Sequence, residues 1–401
     1  MSSRTRKLLA ASVAGAAFLA ASAAAQAEDV KVGIILGYTG PLESITPGMA
    51  ASAELAMKEI NDSGLLLDGK KLVSVRADST CIDNAAATAA AERLVTTDNV
   101  AAIVGADCSG VTIGIVNNVA VPNGVVMVSP SATSPALTDI ADNDYFFRTA
   151  PSDARQGQVL TDVLASKDVK TVAVSYTNND YGKAFSDSFV SAFEAGGGKV
   201  TIAAPHDDGK GDYSAEVGAL AAAGGEALVV LGYVDQGGVG IIRAAVDTGA
   251  FETFVLGDGM YGQSLISAMG DGVEGSYGVI PGTEGEGATK FAEAATAAGL
   301  DPSSSYTGES YDAAALIALA MQKAGSTDRT AIRDAMLDVA NGPGEKILAG
   351  ELAKGLQIIK DGGDVDYVGA TNVELIGPGE AAGTYREYVI EGGEFNTVQF
   401  R

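Results

Sequence analysis

The segment 101-AAIVGADCSGVT-112 decides the fold, because a short apolar run ends in it at a polar loop that carries Ser109. The segment 125-VVMVSPSATSP-135 repeats the arrangement, with Ser131 and Thr133 in its loop. Short Val/Ile-rich runs without polar alternation are typical of strands buried on both faces of a parallel sheet. Open α/β sheets bind small molecules at the carboxyl ends of such strands, because helix N-termini and free backbone N–H groups meet there. The two segments therefore predict a polar cradle for a small anionic group.

The same alternation of apolar runs and amphipathic stretches extends over most of the chain and is typical of βαβ units. The runs predicted as strands are Val32–Leu36, Leu72–Arg76, Ala101–Val104, Val125–Val128, Thr171–Ser175, Val200–Ala203, Ala227–Leu231 and Phe254–Leu256. The stretches predicted as helices include Pro47–Asp62, Ala85–Thr96, Ala154–Leu164, Tyr181–Ala195, Tyr213–Ala222 and Val239–Thr248. The pattern predicts an α/β protein with two doubly wound parallel-sheet lobes.

The division between the two lobes is predicted at Tyr145–Pro151, where an aromatic cluster and an arginine separate the first series of strands from the second. After Pro281, three helical segments follow without a strand between them. Such a run cannot close a core of its own, so we expect it to return and cover the first sheet. The segments are Ala288–Ala298, Tyr311–Ala324 and Thr330–Val339.

The chain ends in a predicted β-hairpin, Tyr385–Glu391 and Glu394–Phe400, with two glycines in its turn. A third crossing between the lobes is then needed, and the Gly/Pro-rich segment Gly369–Gly383 is the candidate. Three connecting strands form a hinge, around which two lobes close on a ligand. The predicted domains are lobe 1, residues 28–149 and 282–370, and lobe 2, residues 150–281 and 371–401.

Residues 1–27 have the features of an export signal: three basic residues, an apolar stretch, and Ala25-Gln26-Ala27 as a small-x-small cleavage site. A membrane anchor is the alternative, but the apolar stretch is interrupted by small and polar residues and is too short to span a bilayer. We expect cleavage after Ala27 and a periplasmic protein.

The chain is strongly acidic, with a net charge of −25 from 26 basic and 51 acidic residues. Loss of residues 1–27 removes three basic residues and no acidic one, which gives −28. Such a charge argues against nucleic acid as a partner and favours solubility. The remaining length of 374 residues, 401 less 27, exceeds one ordinary core. We therefore expect two lobes, in a protein that acts as a monomer.

Cys81 and Cys108 are the two cysteines of the chain, and both belong to its first third. In an exported protein they are expected to form a disulfide. A zinc or redox site is the competing interpretation, but the chain lacks CxxC spacing and has a single histidine, His206. A disulfide would also fix the loop that carries Ser109.

Several separate motifs together resemble one family over Asp29–Arg401, the periplasmic solute-binding proteins of branched-chain or hydrophobic amino-acid uptake systems. The motifs are Val32-Gly33-Ile34, Thr39-Gly40-Pro41, Cys81 with Cys108-Ser109, Ser129-Pro130-Ser131-Ala132-Thr133, Phe147-Arg148-Thr149, Asp180-Tyr181-Gly182, Gly257-Asp258-Gly259 and Tyr311-Asp312-Ala313. The resemblance implies two doubly wound lobes with three hinge strands, an amino-acid ligand, and delivery to the permease of an ABC transporter.

The resemblance also implies a role for each matched position. Ser109 and the backbone N–H groups of Ser109 and Thr133 would hold the ligand carboxylate. The Ser131 carbonyl, the Thr133 hydroxyl and Asp258 would hold the ammonium, and two tyrosines of lobe 2 would close over the ligand. The implied ligand-binding set is Ser109, Ser131, Ala132, Thr133, Tyr181, Tyr233 and Asp258.

Simpler roles exist for some of these residues. Asp258 in Gly-Asp-Gly is equally expected as a turn carboxylate, and Tyr181 and Tyr233 as packed aromatics at the rim. For Ser109 the simpler role is that of an N-cap.

Two departures from the family pattern leave the ligand open. The first loop, Pro41–Thr46, lacks the aromatic residue that several relatives place there, and Glu43, Asp107 and Asp235 add carboxylates near the same mouth. An aliphatic or small neutral amino acid is the first choice. A polar or cationic amino acid or a small amide is the alternative.

Catalysis is not expected, and neither is a cofactor or a metal. His206 lies in a loop-like segment, Pro205–Gly209, where a solvated side chain is expected, and neither G-x-S-x-G nor G-x-x-x-x-G-K-[ST] occurs. A transport receptor is the first hypothesis for the function. A ligand sensor that signals to a receptor or regulator is the second, and an exported hydrolase is the third.

Overall fold

The computed structural model describes residues 29–377 and 379–401. The predicted signal peptide lies outside these residues. Within them the chain forms a five-stranded sheet, a seven-stranded sheet and a small two-stranded sheet. No helix in the described residues has the length and apolar character needed to cross a bilayer.

The first sheet is entirely parallel and has the order β2-β1-β3-β4-β5. Its strands are β1 Val30–Leu36, β2 Leu72–Asp78, β3 Ala102–Gly105, β4 Val126–Ser129 and β5 Phe146–Arg148. The order reverses at β1, so right-handed crossovers place α-helices on both faces. The sequence predicts the first four strands, but it assigns β5 to a break because two aromatic residues and an arginine replace the Val/Ile-rich run.

The second sheet has the order β14-β13-β10-β9-β8-β6-β7. Its strands are β6 Thr171–Thr177, β7 Lys199–His206, β8 Ala227–Leu231, β9 Phe254–Leu256, β10 Tyr277–Pro281, β13 Tyr385–Glu391 and β14 Glu394–Phe400. The terminal hairpin has the predicted bounds and pairs antiparallel with β10. The sheet is therefore mixed at one edge, whereas the sequence had predicted parallel sheets.

The helices are α1 Thr46–Ser63, α2 Asn84–Glu92, α3 Ser109–Ile115, α4 Val121–Asn123, α5 Asp153–Ser166, α6 Asp180–Ala195, α7 Ser214–Ala223, α8 Gly237–Thr248, α9 Gln263–Met269, α10 Glu286–Ala297, α11 Thr307–Ala324, α12 Arg329–Ala340 and α13 Leu352–Lys360. A π-helical segment, Val116–Ala120, joins α3 to α4, so residues 109–123 form one continuous helical stretch. The prediction of two doubly wound lobes is confirmed.

The late helices return to the first sheet, as predicted. α11 packs along α1 and contacts β3 and β4, and α12 packs on α11. Nearly every residue of α11 is buried. Two short strands that the sequence did not predict, β11 Glu345–Leu348 and β12 Val365–Gly369, pair beside these helices.

The chain passes between the two large sheets three times. The first passage follows β5, the second follows β10, and the third occupies residues 370–384, Pro378 aside, between β12 and β13. The first and third passages are joined, because Pro151 pairs with Ala381 and the Arg148 N–H donates to the Gly379 carbonyl at 2.8 Å. The third passage thus nearly coincides with the segment predicted for it.

Candidate functional site

The polar loops of the two sheets meet at the carboxyl ends of their strands. Ser109 begins α3 four residues after the end of β3, and Ser131 follows β4. From the second sheet come Asp258 after β9, Tyr233 after β8 and Tyr181 in the first turn of α6. Together they line a small cavity of about 20 Å³, which is roughly the space of one water molecule. The full lining is Leu42, Ile45, Asp107, Cys108, Ser109, Ser131, Tyr181, Tyr233, Asp258, Gly259 and Tyr306.

The first-sheet side of the cavity is suited to a negative group. Ser109 is the first residue of a helical stretch, so its backbone N–H has no intrahelical acceptor, and the positive end of the helix dipole lies there. Its hydroxyl accepts from the Ser134 N–H at 3.2 Å and keeps its own proton for another acceptor. The glycine before this loop is required, because a Cβ on Gly105, at a φ of +128°, would lie 2.1 Å from the Ile35 carbonyl oxygen.

The second-sheet side presents a buried acid. Asp258 is 2% exposed, accepts from the Tyr181 hydroxyl at 2.6 Å, and also accepts from the Tyr306 hydroxyl. The Tyr181 ring stacks on the Tyr233 ring with centroids 5.1 Å apart. Burial raises the pKa of Asp258, while the hydrogen bonds from the two tyrosines oppose that shift.

Tyr181 is held in place by the cap of its own helix. The Asn179 side chain accepts from the backbone N–H groups of Tyr181 and Gly182 at 3.1 and 3.0 Å. Only glycine fits at position 182, since a Cβ there would lie 2.2 Å from the Thr177 carbonyl oxygen. The Asp-Tyr-Gly motif thus fixes the ring over Asp258.

A second buried acid lies close to the first. Asp153 is 0% exposed, and neither of its carboxylate oxygens has a hydrogen-bond partner among the described residues. Burial first, and then repulsion by Asp258, raises the pKa of Asp153 well above its ordinary range. The Thr133 hydroxyl is likewise buried and has no hydrogen-bond partner among the described residues. A second buried acid that the sequence did not indicate thus lies near Asp258, behind the cavity.

Five of the seven residues predicted for the site line the cavity, and Ala132 and Thr133 do not. Both backbone polar groups of Ala132 are used within the protein, since its N–H donates to the Ser129 hydroxyl at 2.9 Å and its carbonyl accepts from Arg148 at 3.1 Å. Thr133 lies behind the cavity, where its carbonyl accepts from the Asp153 N–H at 2.9 Å.

Of the three additional carboxylates at the mouth, Asp107 and Asp235 accept hydrogen bonds from protein groups, whereas Glu43 is exposed and does not line the cavity. Asp107 accepts from the Gly37 N–H at 2.9 Å and from the Ser79 hydroxyl at 2.8 Å. Asp235, from the second sheet, accepts from the Ser44 N–H at 2.8 Å and so ties the first loop to the opposite lobe. These two acids are thus not free to recognise a cationic side chain.

The predicted disulfide between Cys81 and Cys108 is confirmed, with Cα atoms 5.1 Å apart. Cys108 directly precedes Ser109, so the bond anchors the start of α3 to the loop after β2.

His206 is not solvated, which corrects the sequence prediction. It ends β7, is 1% exposed, and its Nδ1 lies 2.8 Å from the Ser175 hydroxyl oxygen. Burial lowers its pKa to about 4. The Ser175–His206 pair lies inside the second lobe, away from the lining of the cavity.

Leu42 and Tyr306, which line the cavity, and Asp153, which lies near Asp258, were not predicted from the sequence. Tyr306 and Asp153 precede or begin helices, where they read as ordinary loop and cap residues. Leu42 lies in the first loop, Pro41–Thr46. An apolar side chain in a largely polar loop is the one sequence feature that could have indicated that Leu42 lines the cavity.

Comparisons with known proteins agree with this architecture. A family model described as periplasmic binding protein matches residues 29–345. The chain is 32% identical over 327 residues to Leu/Ile/Val-binding protein homolog 3 of Brucella melitensis, which covers 80% of this chain and 86% of that protein.

A second relative is the leucine-, isoleucine-, valine-, threonine- and alanine-binding protein of Pseudomonas aeruginosa. It is 30% identical over 320 residues, 79% of this chain and 84% of that protein. Among solved structures, a leucine-binding protein from Thermotoga maritima superposes with a TM-score of 0.77 at 24% identity, covering 92% of this chain and 98% of that one. That last similarity bears on the fold alone.

Proposed function

This chain belongs to the periplasmic binding protein family, and from that premise we propose that it is an extracytoplasmic receptor for an aliphatic or small neutral α-amino acid. It binds the ligand between its lobes and delivers it to the permease of an ABC transporter. The cleft binds and releases its ligand unchanged, so the protein is not an enzyme.

The proposal rests on one observation: one side of the cavity favours a negative group of the ligand, and the opposite side favours a positive group. A helix start with free N–H groups and the Ser109 hydroxyl lies on one side, and Asp258 lies on the other. A zwitterion satisfies both at once, with its carboxylate at Ser109 and its ammonium at Asp258. A ligand with one charge would leave the opposite group buried without a partner, which costs several kcal/mol.

The remaining walls favour an apolar side chain on the ligand. Leu42 and Ile45 come from the first loop, and the rings of Tyr181 and Tyr233 cover the opposite side. The names of the two curated relatives, which refer to leucine, isoleucine and valine, agree with an aliphatic ligand. Because Asp107 and Asp235 are engaged by protein groups, a cationic amino acid is disfavoured.

We further propose that the lobes open to admit the ligand, because the cavity is smaller than any aliphatic amino acid. The lobes are residues 28–149 with 282–370 and residues 150–281 with 371–401, and the three passages between them serve as the hinge. Contacts at the mouth hold the closed form, among them the Ser44–Asp235 hydrogen bond and the bond from the Asp235 N–H to the Pro41 carbonyl at 3.1 Å.

The proposal is tested by calorimetry with isoleucine, leucine, valine and alanine, and with two truncated ligands. These are 3-methylpentanoate, which is isoleucine without its amine, and 2-methylbutylamine, which lacks the carboxylate. We expect stoichiometric binding of at least one aliphatic amino acid and much weaker binding of both truncated ligands. Displacement of isoleucine by either truncated ligand at equal concentration would contradict a zwitterion site, and turnover of any ligand would contradict a receptor.

Alanine substitution of the two hydroxyl residues provides a finer test. Ser109→Ala should weaken binding of the preferred amino acid by roughly 1–3 kcal/mol, as the loss of a hydrogen bond to a charged group does. Thr133→Ala should have a smaller effect, because Thr133 lies behind the cavity. Calorimetry of each purified variant measures the change, and Ser191→Ala, at an exposed position of α6, is the matched control. Wild-type affinity in both variants would refute the cradle.

A further inference from the structure

A second cavity, which we call the hinge cavity, lies behind the candidate site. It encloses about 130 Å³ and is therefore larger than the first. Its walls come from β10 and the terminal hairpin on one side and from α10 and the start of α11 on the other, with residues 370–371 of the third passage at its edge. It thus touches both lobes and two of the three passages.

The hinge cavity is amphipathic. Ile280, Phe291 and Phe400 supply apolar walls, whereas Arg386 and Glu309 are the two charged side chains in the lining. Such a lining suits a ligand with one polar end and a short hydrocarbon end.

Arg386 is the cationic group of this cavity. Its Nη2 donates to the Ser303 carbonyl at 3.4 Å, its guanidinium lies 5.0 Å from the centre of the Tyr261 ring, and its buried Nε has no hydrogen-bond partner within the described residues. Asp301 is a nearby anion that attracts Arg386, but it forms no ion pair with Arg386 among the described residues and accepts from the hydroxyl groups of Ser303 and Ser304. The guanidinium therefore retains donor capacity for a planar anion such as a carboxylate.

Glu309 is the second polar group. It is 5% exposed, and its backbone carbonyl accepts from the Thr149 hydroxyl at 2.9 Å, which ties this part of α11 to the first passage. Burial raises the pKa of its carboxyl to about 8. At neutral pH the carboxyl is therefore mostly protonated and available to donate a hydrogen bond.

We propose that the hinge cavity is a second binding site, for a short-chain aliphatic carboxylate held by Arg386 and Glu309. The carboxylate accepts from the guanidinium and from the protonated Glu309 carboxyl, and its hydrocarbon end packs on the apolar walls. Because the walls come from both lobes, the occupant stabilises the arrangement described here, in which the amino-acid cleft is nearly closed.

Tyr306 connects the two sites physically. Its side chain belongs to the lining of both cavities, and its hydroxyl donates to Asp258. A carboxylate behind Tyr306 should therefore strengthen amino-acid binding, and by linkage the amino acid should strengthen carboxylate binding by the same factor.

The probe is sodium propionate, with sodium chloride at equal ionic strength and propylammonium chloride as comparison salts. Calorimetry is performed on the wild-type protein without amino acid and with saturating isoleucine. We expect propionate to bind in both states, and isoleucine to bind at least two-fold more tightly in saturating propionate. Arg386→Gln should weaken propionate binding at least ten-fold. Arg243→Gln, which removes an exposed guanidinium of α8, should leave it unchanged.

Two further variants separate a binding role from a folding role. Ala292→Leu fills the hinge cavity without altering its charged groups and should abolish propionate binding while the isoleucine affinity of the propionate-free protein is retained. Glu309→Gln preserves a neutral donor and should bind propionate within a few-fold of wild type. Equal propionate binding by wild type and Arg386→Gln would overturn the proposal, and so would weaker isoleucine binding in proportion to added propionate, which indicates competition at the first site.

Discussion

Asp258→Asn should weaken binding of the preferred amino acid by roughly 2–5 kcal/mol, which is about 30-fold to more than 1,000-fold in affinity. The carboxylate of Asp258 is buried and already oriented by Tyr181 and Tyr306, so a ligand ammonium meets a fixed negative charge. Asparagine keeps the size of the side chain but removes that charge, and an ammonium bound beside it loses its counter-ion. Calorimetry of wild type and variant with isoleucine measures the loss.

The selectivity of the effect distinguishes an ammonium role from a structural one. Binding of 3-methylpentanoate, which has no amine, should be far less affected than binding of isoleucine. Asp271→Asn makes the same chemical change at an exposed position and should leave both affinities unchanged. If the variant lost both ligands equally, Asp258 would have no specific role toward the ammonium.

The dependence of affinity on pH provides an independent measurement. Burial raises the pKa of Asp258 above its ordinary value of 3.8, so the group is protonated over a wider range than a solvated carboxyl. In the ligand-free protein its contribution to the free energy of unfolding is present at low pH and is lost as the pH rises through that raised pKa. Amino-acid binding needs the ionised form and should strengthen over the same rise, less so in Asp258→Asn.

The sequence was sufficient for the elements that have a strong periodic signal. Val/Ile-rich runs identified β3, β4 and β8, and the terminal hairpin was predicted to the residue because two glycines mark its turn. β5 and β10 were missed for physical reasons: β5 consists of two aromatic residues and an arginine, and β10 contains a glycine and ends in a proline. Both lie next to passages between lobes, where the chain must leave a sheet early.

The site was predictable where a polar residue follows an apolar strand, as Ser109 and Asp258 do. Tyr306 and Asp153 approach the same site from helix starts far away in the sequence, and nothing local records that the two lobes bring them together. The engagement of Asp107 and Asp235 by backbone groups of other loops was equally hidden. Sequence patterns thus identified the polar side chains that each lobe contributes to the site. They did not identify the contacts that form between the lobes when they close.

Removal of the disulfide should cost roughly 3–4 kcal/mol of unfolding free energy, because the bond closes a loop between cysteines 27 residues apart. The Cys81→Ser/Cys108→Ser double variant should therefore melt on the order of 10 °C below wild type in a thermal scan. A reducing agent should lower the melting temperature of the wild-type protein and leave that of the variant unchanged.

The loop that the disulfide anchors is also held by hydrogen bonds. Loss of the disulfide should therefore reduce the stability of the protein more than its affinity for the ligand. Asp107 still joins this loop to Gly37 and Ser79 when the bond is absent, so the start of α3 stays near its position at temperatures well below melting. Amino-acid affinity at 10 °C should then fall by less than the roughly ten-fold expected when Ser109 is lost. If the double variant had the same melting temperature as the wild-type protein, the disulfide would not stabilise the first lobe. Two titratable thiols in the native oxidised protein would show that the bond is absent.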